Sequence, residues 1–189
     1  MLGISLDPRQ QDLLDVYSRL LRERAVRLGF VAEGDEPHLE VRHVQDSLRA
    51  AAVIDPADRS VFDLGSGAGL PGIPVAIARP GLHMVLIEPR RARAAFLELA
   101  VEQLRLLDTR VVTARAEAVA ERADVCLARA FGSPRASWAA AEALLLPRGR
   151  LVYFAGDRFL ESQLPPGISA EVVPSALARS GPLVIMART

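Results

Sequence analysis

The sequence predicts an α/β fold, with a mostly parallel sheet covered on both faces behind a helical N-terminal extension. Three observations carry that expectation. From Ser60 onward, short apolar runs alternate with helical patterns, the signature of strands buried on both faces of a sheet. A glycine-rich turn, Asp63-Leu-Gly65-Ser-Gly67-Ala-Gly69-Leu-Pro-Gly72, follows the first apolar run. Before Ser60 the periodicity is helical throughout.

The elements follow in chain order. Asp7 is a suitable N-cap and Pro8 suits the first helical position. Leu13, Leu14, Tyr17, Leu20, Leu21 and Leu28 recur on one side, so a helix is expected from Asp7 to about Leu28, stopped by Gly29. GFVAEGDEPH reads as a loop, and a second helix is expected over His38–Ala52, ended at the Asp55-Pro56 turn. Strands are expected at 60–64, 83–88, 109–114, 124–129 and 150–156, with weaker ones at 170–174 and 183–188. Helices are expected after the glycine turn, over 91–106 and over 137–145, with a short one after the third strand. The last two strands read as a hairpin that adds an antiparallel strand at the sheet edge. The expected organisation is one domain over 1–189, helical in 1–55 and α/β in 56–189.

Composition narrows the function classes. With 23 acidic and 23 basic residues the formal charge is zero, so no global field draws the chain to a polyanion. Every base is an arginine and lysine is absent; arginine is the side chain suited to bidentate phosphate contact and to stacking on bases. The single cysteine, Cys126, excludes a disulfide framework and a thiolate cluster. No run is long and apolar enough to cross a bilayer, and the N-terminus lacks a basic segment followed by an apolar one. A cytoplasmic chain, monomeric and without a membrane partner, is the expectation.

The glycine turn lies where open α/β sheets bind ligands, outside the carboxyl end of a strand. Gly67-Ala-Gly69-Leu-Pro-Gly72 formally satisfies the dinucleotide fingerprint, and Glu88 lies 19 residues beyond Gly69. An NAD-dependent oxidoreductase is therefore one reading. S-adenosylmethionine is the other. Asp63 would repel a pyrophosphate but favour an ammonium group, and Pro71 removes a backbone donor that a pyrophosphate would use. Arg115-Ala116-Glu117 offers a further adenine contact after the third strand. Glu88 can accept two ribose hydroxyls in either scheme.

Other polar residues fall into clusters. Arg42 and Asp46 are one helical turn apart, as are His43 and Ser47, so the four read as a polar patch facing cofactor or RNA. Arg90, Arg91 and Arg93 follow Glu88 directly and are candidates for gripping phosphate, ahead of Arg22, Arg24 and Arg27. No metal site is expected, because His38, His43 and His83 are scattered and no cysteine or acid cluster joins them. Cys126 and Trp138 read as packing residues.

RHVQDSL (42–48), DLGSGAGLPGIPVAIARP (63–80), LIEPRRARAAFL (86–97), ARAEAV (114–119) and ARAF (128–131) occur in this order. Together they resemble the small-subunit ribosomal RNA guanine-N7 methyltransferase family, once called glucose-inhibited division protein B. The resemblance implies a Rossmann-like class I methyltransferase sheet of seven strands. It also implies methyl transfer from S-adenosylmethionine to N7 of a guanine in 16S rRNA, free or within the small ribosomal subunit. By likeness to the family, Gly65, Leu70, Ala116, Glu117 and Arg129 are implied cofactor contacts, beside Asp63, Gly67, Gly69 and Glu88 from the loop itself. Guanine N7 carries no proton, so no general base is required, and Arg129 and His43 are positioning candidates. The chain departs from the family at Ala25–Gly29, where members carry Asn-Leu-Thr, and at Ala155-Gly156, where members carry Lys-Gly. A diverged paralogue acting on another substrate, or a non-catalytic cofactor-binding module of ribosome assembly, are the alternatives those departures raise.

Overall fold

The computed structural model describes residues 4–177 and 180–189. Its first helix, α1 (Pro8–Leu20), opens with a reciprocal cap: Asp7 accepts from the Gln10 amide, and the Gln10 side chain accepts from the Asp7 amide. The helix then widens into a π-helical stretch, Leu21–Val26, and Gly29 leaves it at φ +67°. The wider turn shifts the phase of the apolar stripe. Leu28, expected on the buried side, is therefore 59% exposed.

The segment expected to be a loop contains a 3₁₀ turn, Glu33–His38, and a second π-helical stretch, Leu39–Gln45, leads directly into α2 (Asp46–Val53). Then come β1 (Ser60–Leu64), α3 (Gly72–Ala78), β2 (His83–Ile87), α4 (Arg91–Gln103) and β3 (Thr109–Val112). A 3₁₀ turn at Ala116–Ala118 precedes β4 (Ala123–Arg129), α5 (Pro134–Glu142), β5 (Leu145–Phe154), β6 (Ile168–Val173) and β7 (Leu183–Arg188). Two boundaries move from expectation for one reason. Ser133 caps α5 through its hydroxyl, with Pro134 at the first helical position, so the helix starts early. Leu145 is thereby released to begin β5 beside Ala123.

The seven strands form one sheet in the order β3-β2-β1-β4-β5-β7-β6. β1 to β5 are parallel, and β7 runs antiparallel to both β5 and β6. The antiparallel strand is thus second from the edge, and β6 forms the edge. The last strand enters beside β5 because β7 is apolar and buried, whereas β6 carries exposed Ser169, Ala170 and Glu171.

Strand alternation divides the core in two. Val61, Val125, Leu127, Val152 and Phe154 face α1, α2, α3 and α4. Phe62, Leu64, Cys126, Ala128, Leu151 and Tyr153 face the side covered by Trp138 and α5. By the same alternation Asp63 and Arg129 lie on the face of the N-terminal helices.

Candidate functional site

The strand order reverses between β1 and β4, and there the carboxyl ends at Leu64, Ile87 and Ala128 lie side by side. A crevice at such a point is where an open α/β sheet binds its ligand. The loop leaving β1 has Gly65, Gly67 and Gly69 at φ +67°, +60° and +93°. Glu88, 3% exposed, braces it: one carboxylate oxygen accepts from the Gly67 amide at 3.0 Å and the other from the Arg90 amide at 2.9 Å. Each oxygen keeps acceptor capacity for a further donor.

The three glycines serve different ends. A Cβ on Gly65 would lie 2.8 Å from the Phe131 ring, and one on Gly69 would meet Ile73 and lie 3.0 Å from the Tyr17 hydroxyl. These two allow close packing. A Cβ on Gly67 would meet Arg93 Nη1 and the Gly65 carbonyl at an ordinary 3.8 Å. Gly67, whose amide Glu88 holds, is thus the least crowded of the three.

Asp63 sits beneath the loop. It is 1% exposed, and its carboxylate accepts from the Gly72 amide at 3.1 Å. Strand alternation turns it toward α3. Burial pushes its pKa up to about 7, against the lowering effect of the Ser66 and Gly72 hydrogen bonds and of Arg129. Tyr17, fully buried on α1, donates to the Ala68 carbonyl at 2.7 Å.

Leu70 is half-buried at the end of the loop. The Glu88 amide donates to Val112 at the end of β3, which places the following turn, with buried Ala116 and exposed Glu117, on the same edge of the sheet. The arginines expected to act together separate. Arg90 and Arg91 are exposed. Arg93 lies over the Phe30 ring, 5.5 Å from its centroid, and reaches toward Gly67. It belongs to the wall of the cofactor loop.

Arg129 is the centre of the second half of the site. One terminal nitrogen donates to the His43 carbonyl and the Ser47 hydroxyl, both at 3.1 Å. The other donates to the Arg42 carbonyl at 2.8 Å and lies 3.0 Å from His43 Nδ1 and 3.4 Å from Asp46. Its guanidinium also lies over the Phe154 ring. Both carbonyls lie in the π-helical stretch, and that of His43 also accepts from the Asp46 amide. Arg42, His43 and Asp46 project into one cleft, though Arg42 and Asp46, and His43 and Ser47, are not bonded to each other through their side chains. Arg42 instead reaches Asp35 at 2.7 Å, Asp46 pairs with Arg49 at 2.7 Å, and Ser47 donates to the His43 carbonyl. Burial lowers the pKa of His43, as do the charges of Arg129 and Arg42, while Asp35 raises it.

Beside Arg129 opens a cleft of about 610 Å³, lined by Arg42, His43, Asp46, Ala130, Tyr153 and Phe154 among others. Ala155 lies buried at its floor, with Gly181 packed against the Ala155–Gly156 backbone. Among the described residues no group of three or more His, Cys, Asp and Glu side chains is placed to hold a metal. No helix among them is long and apolar enough to cross a membrane.

Sequence reasoning missed Asp35, Tyr17, Arg49 and Phe131 as parts of this region. Tyr17 and Arg49 carry no local signal beyond helix periodicity. Phe131 was within reach, because it follows Arg129 at a strand end.

Comparison with known proteins follows the same lines. Residues 10–165 match the family described as rRNA small subunit methyltransferase G. The protein named ribosomal RNA small subunit methyltransferase G from Roseiflexus castenholzii is 39% identical over 193 residues, covering 97% of this chain and 78% of that protein. The one so named from Nitrosococcus oceani is 37% identical, covering 87% of this chain and 76% of that protein. One from Roseiflexus sp. is 42% identical over 68% of this chain and 57% of its own length. Among solved structures, a mutant of MtNAS in complex with S-adenosylmethionine superposes at TM-score 0.63 with 15% identity, covering 95% of this chain and 76% of that one. TrmN from Thermus thermophilus superposes at 0.57 with 23% identity, covering 77% and 48%. These two likenesses are of fold. From the matched span and the identity to its relatives, the chain belongs to the rRNA small subunit methyltransferase G family.

Proposed function

We propose that this chain transfers the methyl group of S-adenosylmethionine to N7 of a guanine in 16S rRNA, acting in the cytoplasm as a monomer on RNA or the small ribosomal subunit. The observation that carries the reading is the juxtaposition at one strand-order reversal of a braced glycine loop and a cleft with buried arginine.

The residues fit the cofactor. Gly67, uncrowded enough for a close approach to its backbone, adjoins Glu88, whose two oxygens each hold one backbone amide and keep a lone pair for a ribose hydroxyl. Gly65, Leu70, Ala116 and Glu117 border the same edge, with Asp63 and Gly69 shaping the loop from below. A pyrophosphate fits less well, because the Gly72 amide at the start of α3 is taken by Asp63. When bound, the sulfonium supplies an electrophilic methyl group.

The chain's own task is then placement. N7 of guanine has a free lone pair, so no side chain has to remove a proton. Arg129 fixes the helical segment carrying Arg42, His43, Asp46 and Ser47 against the carboxyl edge of β4, and so sets the wall of the cleft. His43, its pKa lowered, stays neutral there at neutral pH. Arg42, with Arg90, Arg91 and Arg93 toward the loop, supplies the cations for RNA. A base taken from folded RNA has to leave its stack to enter such a cleft.

The test is transfer of labelled methyl from S-adenosylmethionine to small ribosomal subunits that lack the modification, followed by nucleoside analysis. Label in 7-methylguanosine supports the reading. Label in another nucleoside, or none from a preparation that binds the cofactor, overturns it.

A further inference from the structure

Arginine can only donate hydrogen bonds. Since Arg129 Nη2 lies 3.0 Å from His43 Nδ1, that ring nitrogen is the acceptor, and the neutral imidazole carries its proton on Nε2. This N–H points toward Asp35, whose Oδ2 is 3.3 Å away but off the line of a good hydrogen bond. The other oxygen of Asp35 takes the Arg42 guanidinium at 2.7 Å. Two donors on consecutive residues thus converge on one carboxylate.

The cations around the cleft are not equivalent. Arg129 is 18% exposed at its side chain and committed to two carbonyls, a hydroxyl, an imidazole and Asp46. Arg49 is held by Asp46 and the Gly181 carbonyl. Arg42 is 39% exposed and, among the described residues, its side chain is held by Asp35, itself 29% exposed. Arg42 and His43 both line the cleft. Asp35 stands on the short 3₁₀ turn Glu33–His38, which buries no residue. The ion pair is therefore the exchangeable one.

We infer that Arg42 and His43 Nε2–H form a binding site for a phosphate of the RNA backbone, and that Asp35 fills it as an internal substitute until RNA displaces it. The inference rests on the reading of RNA as substrate. A phosphodiester presents two equivalent oxygens to a guanidinium and a neighbouring N–H, as Asp35 does. Competition by Asp35 sets a threshold: a polyanion anchored at several points can displace it, whereas a single free phosphate does so poorly. The turn thereby discourages occupation of the cleft by small anions.

The test compares the full chain with Asp35→Asn and Arg42→Ala. The probes are inorganic phosphate, read by the imidazole NMR signal of His43 (one of three histidines), and a small-subunit RNA fragment, read by binding at several salt concentrations. Asp35→Asn is expected to bind inorganic phosphate about tenfold more tightly than the parent, shifting the His43 signal. Its affinity for the RNA fragment rises at least threefold with cofactor affinity unchanged. Arg42→Ala loses the phosphate-dependent shift and flattens the salt dependence of RNA binding by roughly one phosphate contact. An Asp35→Asn variant with unaltered phosphate and RNA affinity overturns the inference, even if methyl transfer to rRNA is robust. Stronger phosphate binding in Asp35→Asn, without methylation of any rRNA by the parent, keeps the anion site and removes the assigned substrate.

Discussion

The Tyr17 hydroxyl donates a 2.7 Å hydrogen bond to the carbonyl of Ala68, joining the N-terminal helix to the loop that leaves β1. The same helix holds the far end of α3, where the Gln10 side chain donates to the carbonyls of Ile77 and Ala78. The N-terminal extension thus fixes both ends of the loop-and-helix unit beneath the proposed cofactor.

Tyr17→Phe removes one oxygen atom and leaves a carbonyl without its donor. We expect a loss of about 1–3 kcal/mol in urea unfolding. Affinity for S-adenosylmethionine, measured by calorimetry on the folded variant, should fall as the Ala68 peptide loosens. Unchanged affinity would show that the hydroxyl serves stability alone.

Gly65→Ala and Gly67→Ala should separate packing from binding. Both positions have positive φ, so each substitution carries a backbone cost of about 1 kcal/mol. At Gly65 the added carbon also meets the Phe131 ring at 2.8 Å, and stability should drop further. At Gly67 it enters the space proposed for the cofactor, so binding should fall far more than stability. Equal binding losses in the two variants would contradict this division.

Arg129→Lys is not a conservative change here, because an ammonium cannot span two adjacent carbonyls, a hydroxyl and a carboxylate. Breaking this buried network should cost about 3 kcal/mol. For a chain of this size that lowers Tm by roughly 6–12 °C, measurable by scanning calorimetry. Methyl transfer should fall in parallel as the cleft wall loosens.

Asp63 gives a signature in pH. Its folded pKa of about 7 lies above the ordinary carboxyl value, so the folded state holds its proton more tightly. The associated stability is present in full below about pH 4 and is lost as pH rises to about 7. Stability of the parent relative to Asp63→Asn should therefore decline from pH 4 to 7 and level off above it, by roughly 4 kcal/mol at most. Parallel curves for the two proteins would rule out a raised Asp63.

Much of this was legible in the chain because it depends on local periodicity. Apolar runs located all seven strands, and the alternation along β1, β4 and β5 places Asp63, Arg129 and Phe154 on one face. The glycine loop after β1, and Glu88 that braces it, stood out through spacing alone. Boundaries drifted where two signals overlapped, as at Leu145. The hairpin pattern showed that the last two strands pair at the sheet edge, not which of them lies against β5.

The pairing of the charged residues was not legible. In the sequence, Arg42 and Asp46 stand one turn apart and read as parts of one polar patch. In the structure both line one cleft, but Arg42 pairs with Asp35 and Asp46 with Arg49, and the His43 and Arg42 carbonyls of the π-helical stretch accept from Arg129, 86 and 87 residues further on. The sequence by itself determined the fold class, the glycine loop and the family, because each is written in short-range pattern. Tertiary structure alone decided that Arg129 meets Asp46 and the Arg42 and His43 carbonyls, because those contacts join segments that only the folded sheet brings together.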